Sequence, residues 1–160
     1  ESLKITDEDI KRKEMYLEQR KRIELKNEVS NLDEFLKQMD IKIKIKKADN
    51  FVIPRISQLT LKTNQFNLTT KRYQNEDILG FSEDENKIVE GVEVSDKFGN
   101  NGITGVYIVE KTDEEWIIDT FLLSCRVMGR GVEDIMLGEL IERARKENIK
   151  MRIGNNLTAI

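Results

Sequence analysis

Two glycines flank an arginine, Gly129-Arg130-Gly131, at the junction between a strand-forming segment and a helical one. The strand formers EWIIDTFLLS run into this junction, and the amphipathic sequence VEDIMLGELIERARKENI leaves it. A helix N-terminus offers unpaired N–H groups and the positive end of the helix dipole, which together attract anions. Because Arg126 and Arg130 add positive charge, the segment predicts a phosphate-binding site. The alternative is an ordinary turn that needs glycine for its backbone geometry.

Asp119 is the one ionisable side chain in the strand segment WIIDTFLLS. A carboxylate among apolar neighbours in the middle of a strand is unusual. Burial there would raise its pKa and suit it to act as a general base. The alternative, which we favour, is a carboxylate satisfied by hydrogen bonds or by a neighbouring lysine or arginine.

Cys125 precedes the glycine turn, where a helix N-terminus and two arginines could lower its pKa and let it accept an acyl group. Because the chain has no histidine to activate a thiol, we favour a small buried hydrophobic residue at a strand end. A second polar feature is the amide-rich patch of Asn64, Gln65 and Asn67. These amides either line a substrate cleft or cap a helix end.

The composition excludes several classes of protein. The net charge of −3 argues against a nucleic-acid partner. No apolar run approaches the roughly 18 residues of a membrane span, and no signal peptide opens the chain. One cysteine and no histidine argue against a disulfide, a metal site and a Ser-His or Cys-His nucleophile pair. We therefore expect a cytoplasmic protein, and the Lys, Ile and Asn content suggests a bacterial one.

The first half of the chain predicts helices and one strand. Helix formers without Gly or Pro predict a solvated helix over residues 7–29, and a second helix spans Leu32 to Met39. The alternation IKIKIKK predicts an edge strand over residues 41–47. Pro54 begins a helix that extends to about Phe66, followed by loop and a short helix over residues 67–86.

In the second half of the chain, the residue pattern becomes that of β-strands. IVEGVEVSD, NGITGVYIVEK and EEWIIDTFLLSC predict three strands joined by hairpins. A helix follows the glycine turn, and MRI then predicts a returning parallel strand. This order predicts a mixed α/β (α+β) architecture of 160 residues with one main core and a helical appendage.

GRGVEDIMLGELIERARKEN resembles the cofactor-binding segment of the GNAT acyltransferase superfamily, whose Q/R-x-x-G-x-G/A turn holds the pyrophosphate of acyl-CoA. Arg126, Gly129 and Gly131 fit this pattern in one register. In the other register its defining positions fall on Met128, Gly131 and Glu133, and the carboxylate would repel pyrophosphate. Both registers remain open. The resemblance implies cofactor contacts at Leu123, Arg126, Val127, Met128, Gly129, Arg130, Gly131 and Val132.

The same resemblance implies a GNAT-like acyl-CoA N-acyltransferase fold. In that fold a central mixed, mostly antiparallel sheet is flanked by helices, and this chain adds an N-terminal helical extension. The acyl thioester lies along a strand that splays from its neighbour, and a backbone N–H polarises the thioester carbonyl. A carboxylate base helps the acceptor to attack. On this mechanism the candidate catalytic residues are Asp119 and Cys125.

PRISQLTLKTNQFNLTTKRY, VSDKFGNNGITGVYIVEK and IDTFLLSCRVMGRGVE resemble the C-terminal part of FkbH-like proteins, over about residues 41–153. These proteins join a HAD-type domain (HAD-superfamily phosphatase subfamily IIIC) to a GNAT-like domain. They are associated with loading a three-carbon glyceryl unit from a glycolytic bisphosphoglycerate onto an acyl carrier protein. The resemblance implies a helical linker from a preceding HAD-type domain over residues 1–40 and a GNAT-like domain over residues 41–160.

Two departures qualify that resemblance. The D-x-D-G motif of HAD-type domains is absent, and the sequence ends soon after the strand that follows the glycine-turn helix. We therefore expect a C-terminally truncated piece that lacks part of the catalytic machinery.

The resulting expectation is an acyltransferase-type domain that binds acyl-CoA or acyl-phosphopantetheine and helps to load a glyceryl-type unit in polyketide-like biosynthesis. Its partners would be an acyl carrier protein, docking on basic patches such as Lys42–Lys47, and the HAD-type domain of the same protein. The alternative is a non-catalytic docking module for the carrier protein. A free-standing small-molecule N-acetyltransferase is disfavoured by the segments TNQFNLTT and SCRVMGRGVE.

Overall fold

The computed structural model describes residues 7–28, 32–63 and 66–154. They form two units, one made of the described residues up to 42 with residues 95–101, and the other of residues 43–94 and 102–154. Among the described residues, no helix has the length and apolar character needed to span a membrane.

The first unit contains helices α1 (Asp7–Glu28) and α2 (Leu32–Met39). As expected of a solvated helix, most described side chains of α1 are exposed. The exception is an inner edge, where Leu25 packs with Phe35 and Met39 of α2. Beside it, Arg22 Nε and Nη2 donate to the two carboxylate oxygens of Asp96 at 2.6 and 2.9 Å. This buried ion pair and the small apolar cluster hold the unit together.

The second unit is built on a sheet with α-helices α3 (Ile53–Lys62), α4 (Asn75–Ser82) and α5 (Val132–Lys146). The strands of the described chain are β1 (Lys42–Lys47), β2 (Phe66–Asn67), β3 (Lys87–Asp96), β4 (Gly99–Lys111), β5 (Glu115–Leu123) and β6 (Lys150–Ile153). Their order is β1-β3-β4-β5-β2, and β6 pairs with another part of β5. The β4–β5 and β5–β2 pairs are antiparallel and the β5–β6 pair is parallel. The predicted mixed, mostly antiparallel sheet is therefore confirmed, including the edge strand and the parallel return.

Helices cover both faces of this sheet. Ile56 of α3 and Ile78 of α4 are fully buried against strand residues such as Val106 and Ile108. Gly105 points to the opposite face, where an added Cβ would lie 3.0 Å from Met136 Sδ of α5. Because side chains alternate along a strand, β4 thus presents one set of residues to α3 and α4 and the other set to α5.

Three sequence-based boundaries differ from the structure. Helix α3 ends at Lys62 rather than near Phe66, because Asn67 Nδ2 and Arg72 Nη1 donate to the Thr63 carbonyl oxygen at its C-terminal end. Phe66 and Asn67 instead form the short strand β2, which the sequence pattern did not predict. Strand β5 ends at Leu123, so Cys125 lies outside it in a single 3-10 turn.

Candidate functional site

Asp119 is the extra residue of a β-bulge in β5. The register with β4 shifts at this point: Ile108 lies opposite Thr120, but the next residue, Val109, lies opposite Ile118. Asp119 therefore has no partner on β4. A bulge of this kind bends the strand, increases its twist and changes the direction of a side chain.

The pairing of β6 with β5 ends next to the same residue. Parallel pairing between these strands ends with Ile118 opposite Ile153, and the N–H of Gly154 donates to the Ile118 carbonyl oxygen at 2.8 Å. Because β4 pairs with β5 along nearly its whole length, β6 occupies the other edge of β5, and only up to the bulge. The pairing of these two parallel strands therefore ends beside Asp119, where β6 itself ends.

Beyond the bulge, the edge of β5 is covered by residues 66–69, which we call the strap. Phe66 and Asn67 pair with Leu123 and Leu122. The N–H of Leu68 then donates to the Phe121 carbonyl oxygen at 3.1 Å, and Thr69 Oγ1 donates to the Asp119 carbonyl oxygen at 2.6 Å. The family resemblance implies a strand that splays from its neighbour, but here β6 ends at Ile153 and the edge of β5 that would receive a thioester is occupied by the chain itself.

The loop after the strap closes over the Asp119 carboxylate. Lys71 Nζ donates to Oδ1 at 2.7 Å, Tyr73 OH donates to Oδ2 at 2.6 Å, and Thr120 Oγ1 donates to Oδ2 at 3.0 Å. Burial by itself would raise the pKa of Asp119, but the hydrogen bonds from Lys71 and Tyr73 outweigh it and the pKa lies below its ordinary value. Burial and the bond to Asp119 raise the pKa of Tyr73.

These contacts decide between the two interpretations of Asp119. The raised pKa expected of a general base is wrong, because two donors stabilise the ionised carboxylate. The favoured alternative, a carboxylate satisfied by its neighbours, describes the structure. A carboxylate held ionised in this way is a weak base but a strong anchor for the loop that carries Lys71 and Tyr73.

The glycine turn lies between the 3-10 turn that follows β5 and the start of α5. Gly129 and Gly131 have φ values of 78° and 77°, and Gly131 is the N-cap of α5. A Cβ added at either position would meet nothing within 4 Å, so the backbone there faces open space. Arg130 is buried and its Nη2 donates to the Arg126 carbonyl oxygen, which closes the turn on itself. The segment predicted to hold a phosphate therefore has an open glycine backbone and, next to it, the buried guanidinium of Arg130.

The other predicted cofactor contacts are divided between core and surface. Leu123, Val127 and Val132 are fully buried and anchor the turn, while the side chain of Met128 is exposed. Cys125 is also exposed, so the favoured interpretation of a buried small hydrophobic residue is wrong. Cys125 lies in the 3-10 turn that follows β5 and not in the strand itself.

Carboxylates already lie at the N-terminus of α5. Glu133 and Asp134 belong to its first turn, where they complement the helix dipole. Glu133 Oε2 is buried and finds no hydrogen-bond partner among the described residues. An anion approaching the first-turn N–H groups of α5 would meet this negative charge, as the second register of the glycine motif implies.

The amide-rich patch falls partly outside the described residues, since Asn64 and Gln65 are not among them. Asn67 is buried, donates to the Thr63 carbonyl oxygen at 3.2 Å, and accepts from the Thr70 N–H at 3.0 Å. Of the two alternatives for this residue, the structure shows the helix-end contact. Asn67 thereby fixes the turn at Thr70, whose φ is 56°.

Sequence reasoning missed a buried polar cluster on the α5 face of the sheet. Arg143 of α5 donates through both Nη atoms to Glu90 of β3 at 3.0 Å, and Tyr107 OH also donates to Glu90. Glu90 in the middle of the apolar strand IVEGVEVSD was the available signal. Lys71, Tyr73 and Thr69 were missed as well, because they lie in a polar segment without periodicity. The described residues contain no group of three or more side chains suited to hold a metal ion.

A strand–glycine turn–helix–strand crossover that ends in a parallel strand on a mixed sheet is an arrangement of the GNAT acyltransferase fold, and similar solved structures confirm this fold. The chain is similar to the ribosomal-protein-S18-alanine N-acetyltransferase of Escherichia coli, with a TM-score of 0.54 at 10% identity over 72% of this chain and 70% of that one. It is similar to a Salmonella typhimurium acetyl transferase that modifies the N-terminal serine of a 50S ribosomal subunit protein, with a TM-score of 0.52 at 18% identity over 71% and 74%.

A third similar structure is a GNAT family acetyltransferase from Staphylococcus aureus, with a TM-score of 0.50 at 15% identity over 75% of this chain and 89% of that one. No family model and no curated protein matches the sequence. At these identities the likeness establishes the fold alone, and function has to be argued from the site.

Proposed function

We propose that the second unit is an acyltransferase-type domain that binds acyl thioesters carried on a phosphopantetheine arm. The observation that supports the proposal is that β6 ends beside the Asp119 bulge of β5, so that only the short strap covers the rest of this edge, with the glycine turn beyond the end of β5. An extended arm that replaced the strap could pair with this edge, and the turn suits its phosphate end. The acetyltransferases of the same fold are consistent with acyl transfer, although fold analogy is weak support for a reaction.

The charges around the turn favour an arm with few negative charges. Arg126 and Arg130 attract a phosphate, whereas Glu133 and Asp134 oppose one. CoA presents a pyrophosphate and a nucleotide, but an acyl carrier protein presents the same arm through a single phosphodiester. Because repulsion grows with the charge of the ligand, the carrier-protein arm fits this turn better than CoA.

The strap places a condition on thioester binding. An arm that lay along β5 beyond Asp119 would have to displace residues 66–69 and their bonds to Phe121 and Asp119. Each such bond contributes about 1 kcal/mol to stability, so displacement by a ligand is within reach. The domain would then bind its ligand from a minority, open state, and the apparent affinity would be reduced accordingly.

The family resemblance supplies a finer version of the proposal. The acyl group would be a glyceryl-type unit, the acceptor an acyl carrier protein, and the neighbour in the full-length protein a HAD-type domain, in a bacterial cytoplasm. The exposed lysines of the edge strand β1, such as Lys44 and Lys46, suit docking of an acidic carrier protein.

A second candidate function is that of a non-catalytic docking module for the carrier protein. Two observations favour it. The edge of β5 that would bind a thioester is covered, and Asp119, which would act as the base, is ion-paired with Lys71. On this proposal the surface binds the carrier protein while the chemistry takes place elsewhere.

Calorimetric titrations of the chain with CoA, with phosphopantetheine and with a holo acyl carrier protein test the proposal. Binding of phosphopantetheine that is lost in Gly131→Val and retained in Gly138→Val, a change on the same helix, would support the thioester site. Carrier-protein binding that is equal for the apo and holo forms would favour the docking module. A chain that binds neither the arm nor the carrier protein would refute both proposals.

A further inference from the structure

Helix α1 has two faces, and only one of them is covered within the first unit. The covered face carries Arg22 and Leu25, which are buried and contact Asp96 and α2. The opposite face, which we call the outer strip, carries four large apolar side chains that are between 48% and 72% exposed: Ile10, Tyr16, Leu17 and Ile23. Their spacing of about two helical turns aligns them along the helix. Aligned apolar residues on a surface, unlike scattered ones, mark a site of contact with another molecule.

Two cationic side chains lie within the outer strip rather than beside it. Lys13 is one helical turn from both Ile10 and Leu17. Arg20 is likewise one turn from both Leu17 and Ile23. Both cations are exposed, and among the described residues neither takes part in an ion pair. Together with three of the four apolar side chains, they line a groove of about 590 Å³ on this face of α1.

This arrangement of charges argues against a second copy of the chain as the partner. In an antiparallel pair of α1 helices that aligns the apolar residues, Lys13 of one copy would lie opposite Arg20 of the other. In a parallel pair, each cation would lie opposite its own equivalent. Both arrangements bring like charges together in the middle of the contact, where water is excluded and repulsion is strong.

A membrane surface fits the outer strip poorly as well. A helix that lies in the membrane interface keeps its lysines and arginines on the polar face, so that the apolar face alone is buried. In α1, Lys13 and Arg20 lie between the apolar residues, and burial of the strip would carry both charges toward the acyl chains. Burial of charges without partners is costly, so the occupant has to supply carboxylates.

We propose that the outer strip binds an amphipathic helix of another protein, one whose apolar face is interrupted by acidic residues. Such a helix, laid along α1, would cover the apolar side chains and pair its carboxylates with Lys13 and Arg20. The strip from Ile10 to Ile23 is about 20 Å long, which fits a partner helix of about four turns. Because Glu24 lines the C-terminal end of the groove, the carboxylates of the partner belong nearer to the two cations. This surface lies in the first unit and does not depend on the function proposed for the second.

Binding of two synthetic amphipathic helices to the whole chain tests the proposal by calorimetry. One peptide carries glutamates within its apolar face, and the other carries lysines at the same positions. We expect the glutamate peptide to bind Lys13→Glu/Arg20→Glu at least about tenfold more weakly than wild type, because attraction becomes repulsion at two sites. The lysine peptide should show the opposite preference. The control is Lys11→Glu/Lys44→Glu, which changes the net charge equally at two exposed lysines outside the strip, and circular dichroism checks that each variant folds.

The outcomes separate the proposed partner from the other occupants. A reversed preference for the two peptides in Lys13→Glu/Arg20→Glu, which the control does not share, supports the proposal. A wild-type chain that does not bind the glutamate peptide, or that binds it no better than the reversed-charge variant does, overturns it. Sedimentation equilibrium would point to a second copy if wild type dimerised and Leu17→Ala did not. Flotation with phosphatidylserine-containing vesicles would point to a membrane if wild type bound and Leu17→Ala did not, and either of these two results also overturns the proposal.

Discussion

Lys71 Nζ lies 2.7 Å from Asp119 Oδ1 and neutralises the carboxylate at the point where the pairing of β5 with β6 ends. The second carboxylate oxygen accepts a hydrogen bond from Tyr73, in the same loop. This loop directly continues the strap, so the segment that covers the edge of β5 also holds the bulge residue. A single stretch of polar sequence thus decides both whether Asp119 can act as a base and whether a ligand can reach the strand.

Asp119→Asn should lower the free energy of unfolding at pH 7 by about 1–3 kcal/mol, because it replaces an ionised acceptor of hydrogen bonds from Lys71 and Tyr73. The folded-state pKa of Asp119 lies below the unfolded value of about 3.9. Stabilisation from the charge is therefore present above the unfolded pKa and is lost as the pH falls through the folded one. Urea unfolding from pH 7 down to acid measures both effects.

The Asn variant should lack this part of the acid-induced loss of stability. Asp113→Asn, a change at an exposed residue between β4 and β5, provides the control and should keep the wild-type profile. If Asp119→Asn retained the full pH dependence of wild type, the ion pair with Lys71 would not exist in solution.

Thr69→Ala should loosen the strap, because it removes the 2.6 Å hydrogen bond to the Asp119 carbonyl oxygen. We expect the Leu68 N–H, which donates to Phe121, to exchange with solvent about five- to tenfold faster, in line with one hydrogen bond of about 1 kcal/mol. Hydrogen exchange followed by NMR measures this rate. Thr70→Ala is the control, since the Thr70 hydroxyl donates to the neighbouring Thr69 carbonyl oxygen rather than to β5. Unchanged exchange in Thr69→Ala would mean that the strap does not depend on this contact.

Alanine substitutions at two glycines associated with α5 should have opposite effects on stability. Gly131 has a φ of 77°, so Gly131→Ala should destabilise the fold by about 1–2 kcal/mol. Gly138 lies within the helix with open space around it, and Gly138→Ala should stabilise by about 0.5–1 kcal/mol. Urea titration of both variants measures the sign. A stabilising Gly131→Ala would show that the turn does not adopt the left-handed conformation.

Glu90→Gln should destabilise the second unit by about 1–3 kcal/mol, because Glu90 is buried and accepts hydrogen bonds from Arg143 and Tyr107. A double-mutant cycle with Arg143→Met should give a coupling energy above about 0.5 kcal/mol. The exposed pair of Arg145 and Glu142 on the same helix is the comparison, and it should couple by less than about 0.5 kcal/mol. Equal coupling in the two pairs would rule out a structural role for the buried cluster.

The parts of this protein that could be read from its sequence are those specified by local periodicity. The alternation of isoleucine and lysine predicted β1 as an edge strand. Turn residues predicted the boundaries between β3, β4 and β5, and the two glycines predicted where α5 begins. The apolar pattern also implied the mixed sheet, because strands joined by hairpins pair with their neighbours in the chain. The glycine turn was expected from the same contiguous sequence, and Gly129 and Gly131 do have positive φ values. The role of Arg126 and these glycines in holding a phosphate stays a prediction.

Tertiary structure alone decided the state of the candidate site. Lys71 and Asp119 are 48 residues apart, and no periodicity links a polar loop to the strand that it covers. Likewise, Arg55 Nε reaches the Ile103 carbonyl oxygen of β4, 48 residues away, only because α3 packs beside that strand. Local sequence determines which elements form, because their hydrogen bonds and faces repeat within a few residues. The pKa of Asp119 and access to β5 depend on groups brought together from distant positions, so they follow only from the packed chain.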